Sequence, residues 1–216
     1  MARRGNVTDM SRASIEHYVA NRVGWLQKHR NEARTKALLA ALRKTVAKSP
    51  GEAVDTWDFE FSGMPDNLRG VGSNPATEGE WAIHLAISLY ALHQQSQEQD
   101  MYQVCDFDGG QYWGFGHAVK RLVFKGEDGQ NEQGQMPSRF AALVTSETTE
   151  ELAHYARQIV QQLRANSITV DYGRLAGQLY WYQSPMRSSR VSLEWAREFS
   201  QALGGTDSAD EDVATE

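Results

Sequence analysis

An all-helical fold is what this chain predicts, on three observations. Apolar residues recur at three- and four-residue spacing in one segment after another, which is the period of a helix and not of a strand. Two T-x-x-E boxes, Thr77/Glu80 and Thr148/Glu151, mark helix starts; in such a box the threonine oxygen accepts an otherwise unpaired N–H and the glutamate reaches back to the cap. Five prolines in 216 residues, little β-branched alternation and many Ala, Leu, Gln and Arg give strands little support. The expectation is a two-lobed helical bundle with no significant sheet.

The stretch 77–97, TEGEWAIHLAISLYALHQQSQ, is the element the rest must pack around. Trp81, Leu85, Leu89 and Leu92 recur at helical spacing, with Ile83, Ile87 and Tyr90 on the flanks. A helix apolar on most sides belongs in a core. Ser88 and His84 interrupt it, and it is too short to span a membrane. The other elements follow in order. Residues 1–10 read as a loose basic arm, and Ser11 or Ser14 as the cap of a helix to about Lys28, with Ile15, Tyr18, Val19, Val23 and Leu26 on one face. A second helix is expected over 32–47 with Ala37, Leu38, Ala41, Leu42 and Val46 inward, ended by Ser49-Pro50-Gly51. Residues 51–76 read as a long loop with one short turn near Trp57 to Phe61. Short helices are expected over 113–124 and 137–144.

Thr148 opens an amphipathic helix carrying Leu152, Tyr155, Ile159, Val160 and Leu163. Asp171 opens the next, carrying Leu175, Leu179 and Trp181, until Ser184-Pro185 breaks it. Ser188 or Ser189 opens a last helix with Val191, Trp195, Phe199 and Leu203 inward, stopped by Gly204-Gly205. The expected division is an N-terminal lobe over 1–124, a Gly-rich mobile loop over 125–135, a C-terminal lobe over 136–203, and a disordered acidic tail over 204–216. The tail has Val213 as its only bulky apolar residue and nothing to bury.

A chain of this length can bury a full core without staples. One cysteine, Cys105, excludes an internal disulfide framework and a cysteine-based zinc site, and fits a reducing cytoplasm. No apolar leader or membrane-length run is present, so a soluble, cytoplasmic protein is expected. The net charge of −6 is unevenly spread. Residues 1–48 hold 11 Lys/Arg against 3 Asp/Glu, and residues 49–110 hold 1 against 11. A strongly basic segment is compatible with a polyanion partner, since local field steers binding; equally, the two segments can neutralise each other in the fold.

Catalytic and metal chemistry find no support. His84 and His93 are nine apart, on different faces of one helix, and no HExxH is present. His84 reads as a hydrogen-bonded core histidine. Cys105 has no histidine near it in sequence. Gly109-Gly110 and Gly114-Phe115-Gly116 lack the Lys-Ser/Thr of a phosphate loop and the strand and acidic residue of a dinucleotide site; they read as a close-packing helix entry. Tyr180, Trp181 and Tyr182 read as core aromatics, with base stacking as the functional alternative. No catalytic residue, metal or cofactor is expected. What remains is a set of basic side chains on helix surfaces: Arg43, Lys44, Lys48, Lys120, Arg121, Arg139, Arg157, Arg164, Arg174, Arg187 and Arg190. The groups Arg43/Lys44/Lys48, Lys120/Arg121 and Arg187/Arg190 are expected to share one continuous surface.

Three blocks together resemble a known family. DYGRLAGQLYWYQSPMRSSRVSLEWAREF resembles the closing helix pair of the small subunit (CasB) of the type I-E CRISPR Cascade complex. Its paired aromatics, basic turn and acidic-apolar step stand here as Tyr180-Trp181-Tyr182, 186–190 and Arg197-Glu198-Phe199. WGFGHAVKRL is similar to that family's "LGRAL"-type segment, and EWAIHLAISLYALHQQS looks like its core helix. The resemblance covers roughly 31–200 and rests on order and spacing. Where the family usually has Arg after the glycine this chain has His117, with Lys120 and Arg121 one turn on as substitutes; the insertion 125–135 and the acidic tail do not map. The resemblance implies a non-catalytic, all-helical subunit. Two copies would lie against the backbone subunit (CasC) and the large subunit (CasA), bracing the guide RNA–target DNA hybrid and the displaced strand without sequence readout. Two other readings compete. Residues 171–203 have the coarse shape of a helix-turn-helix DNA reader, although its second helix carries the mixed face Arg190, Glu194, Arg197, Glu198. A helical hydrolase or ligand-binding protein would use His84, His93 and Asp106.

Overall fold

Packing centres on the helix predicted to be central. A computed structural model describes residues 3–124 and 136–201, and the expected loop 125–135, tail 204–216 and Leu203 lie outside the described residues. Nine α-helices are present among those described: α1 Arg3–Lys28, α2 Ala33–Leu42, α3 Trp57–Phe61, α4 Glu78–His93, α5 Phe115–Phe124, α6 Met136–Val144, α7 Thr149–Ala165, α8 Tyr172–Tyr182 and α9 Ser188–Ser200. Strand pairing among them is confined to two isolated bridges, Tyr102 with Val170 and Asp106 with Gln111. The fold is an all-helical bundle.

Nearly all of α4 is buried, from Ala82 to His93. A helix of this length is marginal by itself in water. Packing holds it: full burial of each of Ile83, Leu85, Ile87 and Leu89 contributes roughly 1.5–3 kcal/mol. α1, α2, α7 and α8 all pack on α4, α1 lies along α8, and α5 lies along α9 and touches α7. One apolar core therefore runs through residues on both sides of 125–135. The α1–α8 contact is close because Gly173 has no side chain; a Cβ there would sit 2.9 Å from the Glu16 carbonyl oxygen.

The capping box on α4 closes in full, with Glu80 N donating to Thr77 Oγ1 at 3.1 Å and Thr77 N donating to Glu80 Oε2 at 2.8 Å. The second box closes only on one side. Glu151 N donates to Thr148 Oγ1, but the Glu151 carboxylate accepts from Glu147 N instead of the cap residue.

The helix ends correct the sequence reading in three places. α1 begins at Arg3, so residues 3–10 are helix and not a loose arm. Ser14 does not cap: its hydroxyl donates back to Met10 O, the bond a serine makes inside a helix, and Ser11 is buried. α2 stops at Leu42 instead of 47, because Thr45 turns back and donates from both N and Oγ1 to Leu42 O. α4 stops at His93, in keeping with Leu92 as its last apolar residue, and Gln94 gathers the next turn by donating to Gln97 O and Gln99 O and accepting from Met101 N. α5 starts at Phe115, because Trp113 is held outside it by Asp171 N donating to Trp113 O.

Candidate nucleic-acid interface

Eight of the eleven basic residues fall into three surroundings. Arg43, Lys44 and Lys48 lie on the turn after α2. Lys44 and Lys48 are exposed and Arg43 is half-buried. Arg43 lines a recess with Arg30, Lys36, Leu39 and residues 94–98. From the other side, Arg164 of α7 donates to Gln95 Oε1 at 2.9 Å, and its carbonyl accepts from Gln97. Arg43 and Arg164, distant in sequence, thus flank one polar turn. The Arg43–Lys48 turn is itself anchored: Val46 and Thr45 are buried, and the His84 ring reaches Thr45 O and Lys48 O, each at 3.1 Å.

Lys120 and Arg121 lie on α5. Lys120 Nζ donates to Gln201 O at the end of α9. The Arg121 guanidinium sits 4.2 Å from the centre of the Trp113 ring, a cation–π geometry, and burial lowers its pKa from the usual arginine value. The GFG segment seats this helix. Gly116 lies against the α9 backbone, where a Cβ would be 2.3 Å from Trp195 O. This is the close-packing helix entry, with no phosphate loop. His117, at the position where the resembled family usually has Arg, is 1% exposed and stacks on Tyr112.

Arg187 and Arg190 lie where α9 begins. Arg187 is the N-cap residue, half-buried, and its Nη1 is enclosed without a hydrogen-bond partner among the described residues. Arg190 is exposed, as is Arg157 on α7; Arg139 on α6 is half-buried. Arg187 and Gln201 stand fourteen residues apart on α9, or about 21 Å at ~1.5 Å per residue. The Lys120/Arg121 and Arg187/Arg190 groups therefore sit at opposite ends of one helix and not side by side. Along one strand of a duplex, with a phosphate every ~3.4 Å of axis, that distance corresponds to about six nucleotides.

Arg174 has a different setting. Its Nε donates to Glu198 Oε1 at 2.7 Å, Glu194 lies 4.0 Å away, and Phe107 covers it at 5.3 Å. It belongs to a partly buried network that the sequence reading missed. Arg12 of α1 binds both Glu194 oxygens, at 2.7 and 2.8 Å, and Glu16 at 2.7 Å, and lies 4.3 Å from the Trp181 ring centre. Burial pushes the Glu194 pKa up, but the hydrogen bonds and charge of Arg12 more than offset this and hold it below the usual carboxylate value. Glu198 also accepts from Gly116 N and Gln178 Nε2, each at 2.9 Å, so one carboxylate joins α5, α8 and α9. The only signal in the sequence was the four-residue spacing of Arg174/Gln178 and Glu194/Glu198 on consecutive helices.

The residues of the other readings do not come together. His84 pairs with Glu60, whereas His93 Nδ1 lies 2.9 Å from the Tyr172 hydroxyl oxygen, and burial pushes the His93 pKa down to about 3. Asp106 closes its own exposed turn by accepting from Gly109 N. Among the described residues no three His, Cys, Asp or Glu side chains gather as a metal-ligand set. Tyr182 is buried and donates to Val144 O at 2.7 Å. α9 packs on both α5 and α8 and is tied to α1 through Glu194. A helix held on three sides is poorly placed to enter a groove as a recognition helix.

Fold and surface together define a helical scaffold whose cations divide into internally paired and solvent-facing sets. The family model for "CRISPR-associated protein Cse2" matches residues 38–199, and the chain belongs to that family. The crystal structure of CasB from Thermobifida fusca is similar at 29% identity and TM-score 0.67, covering 87% of this chain and 98% of that one. CasB from Thermus thermophilus shares the fold at 23% identity and TM-score 0.57, covering 85% and 98%. The comparison with curated proteins gives no match.

Proposed function

We propose that this chain is the small, non-catalytic subunit of a type I-E CRISPR RNA-guided complex. It braces the guide RNA–target DNA hybrid and the displaced strand through sequence-independent phosphate contacts. In this reading two copies lie against the backbone subunit (CasC) and the large subunit (CasA) in the cytoplasm. No helix among the described residues is long and apolar enough to cross a membrane.

The observation that carries the reading is the sorting of cations. Arg12 and Arg174 are held by Glu194 and Glu198, whereas the side chains of Lys44, Lys48, Arg157 and Arg190 face solvent, with no side-chain hydrogen bond or ion pair among the described residues. Phosphate contacts supply affinity without sequence information, which suits a subunit that must accept any guide. The test is the salt dependence of binding to a fluorescent oligo(dT) strand. Replacing Arg187 and Arg190 by Ala should lower the slope of log affinity against log salt by ~0.7 per lost contact, with melting temperature and sequence preference unchanged. An unchanged slope together with altered stability or subunit assembly would overturn the nucleic-acid role of this turn.

A further inference from the structure

His84 sits in the middle of α4, 2% exposed, among apolar neighbours. An unpaired polar ring there would be costly, and both ring nitrogens are engaged. Nδ1 lies 2.7 Å from Glu60 Oε2, and Nε2 lies 3.1 Å from both Thr45 O and Lys48 O. Carbonyl oxygens only accept, so Nε2 carries a proton. A proton must also lie between Nδ1 and the carboxylate; carried by the ring, it makes an imidazolium facing a carboxylate. Without it, a buried carboxylate and a nitrogen lone pair would face each other at 2.7 Å. That distance is in the range of a charge-assisted bond.

We propose that His84 is a positioning residue. Doubly bonded through its protons, it latches both α3 and the turn bearing Lys44 and Lys48 to the central helix; when the ring loses one proton, the remaining one stays on Nδ1 against the buried Glu60 carboxylate, and the turn's carbonyls lose their donor. The consequence for nucleic-acid binding rests on the function proposed above; the latch itself does not.

The groups facing the ring are few. α3 supplies Glu60, which is 1% exposed. The turn after α2 supplies the two carbonyls and, at longer range, the charges of Lys48 and Glu52. α1 supplies Tyr18, whose hydroxyl lies 3.0 Å from Glu60 O and from Ser62 O, and Arg22, which donates to Ser62 O. On α4 itself Glu80 is turned away to Thr77 N and Gly70 N, and Trp81 presents its ring at 6.4 Å. Burial pulls the His84 pKa down, but the bond and charge of Glu60 and the two carbonyls outweigh it, so the net shift is upward from 6.5. A raised folded value sets the sign. The latch contributes its full stability below the unfolded value and loses it as pH rises through the folded one.

The full chain tests this directly. Ring-nitrogen NMR across a pH titration should show both His84 nitrogens protonated below a midpoint that lies above that of an ordinary histidine. Over the same midpoint, hydrogen-exchange protection of the amides in 45–52 should fall, while that of 57–61, still held by the remaining ring proton, should fall less. Glu60→Gln supplies the control, because a carboxamide N–H can donate to a neutral Nδ1 and needs no shared proton. The variant should remain folded and lose the pH step. On oligo(dT), the wild-type salt slope should drop through the transition by ~0.7 to ~1.4, from contacts of one or both lysines, and that of Glu60→Gln should not. A His84 midpoint at or below that of an ordinary histidine, or a protection step that persists in Glu60→Gln, overturns the latch. A protection step with equal salt slopes in both proteins overturns the positioning role. If neither protein binds oligo(dT) at any pH, the proposed function falls while the ring and exchange data still decide the latch.

Discussion

Replacing Glu198 by Ala should be among the most damaging single substitutions on α9. The side chain is 7% exposed and accepts from Arg174 Nε at 2.7 Å and from Gln178 Nε2 and Gly116 N at 2.9 Å. Removing one partner of a buried ion pair typically costs ~3–5 kcal/mol. Arg174 is 26% exposed and has Glu194 4.0 Å away, so water and that second carboxylate recover part of the loss and the lower end applies. The unpaired Gly116 N–H in the first turn of α5 adds about 1 kcal/mol. The total is ~3–4 kcal/mol. For a domain of this size each kcal/mol lowers the melting temperature by ~2–4 °C, so a drop of ~6–16 °C is expected, read by circular dichroism at the helical minimum. Glu198→Gln keeps one acceptor oxygen and should lose less. A drop under ~2 °C for the alanine variant would refute the reasoning and mean that the carboxylate's partners are satisfied without it.

Two further outcomes are expected. Gly116→Ala would place a methyl group 2.3 Å from Trp195 O and 2.8 Å from Glu198 Cβ; pushing α5 off α9 should cost ~1–3 kcal/mol, seen as a lower urea midpoint, and wild-type stability would show that the contact can yield. Burial, aided by the charge of Asp171, pushes the Cys105 thiol up to about 12, so the native protein should react only slowly with a thiol reagent at about pH 8. Labelling at the rate of the urea-unfolded chain would contradict this.

Features that depend on neighbours in sequence were legible without a structure. The burial of α4, the start of that helix at Thr77 and the helix opened by Thr148 follow from local periodicity and capping. The resemblance carried by the C-terminal block and the core helix agrees with the family match. Helix ends were less legible. At Leu42 the stop is made by a side chain that turns back on the chain, Thr45, and a threonine reads equally well as helix.

Which cations face solvent was decided only by tertiary structure. Arg174 has the same spacing signature as any solvated helix arginine, yet it is held by Glu198 of the next helix. Arg12 meets Glu194 across 182 residues, and His84 meets Glu60 across 24. Periodicity reports which face of a helix is apolar, and so the sequence by itself determined the helices and their buried sides. The partner of a charge is set by how those faces come together, and that arrangement is written in no local pattern.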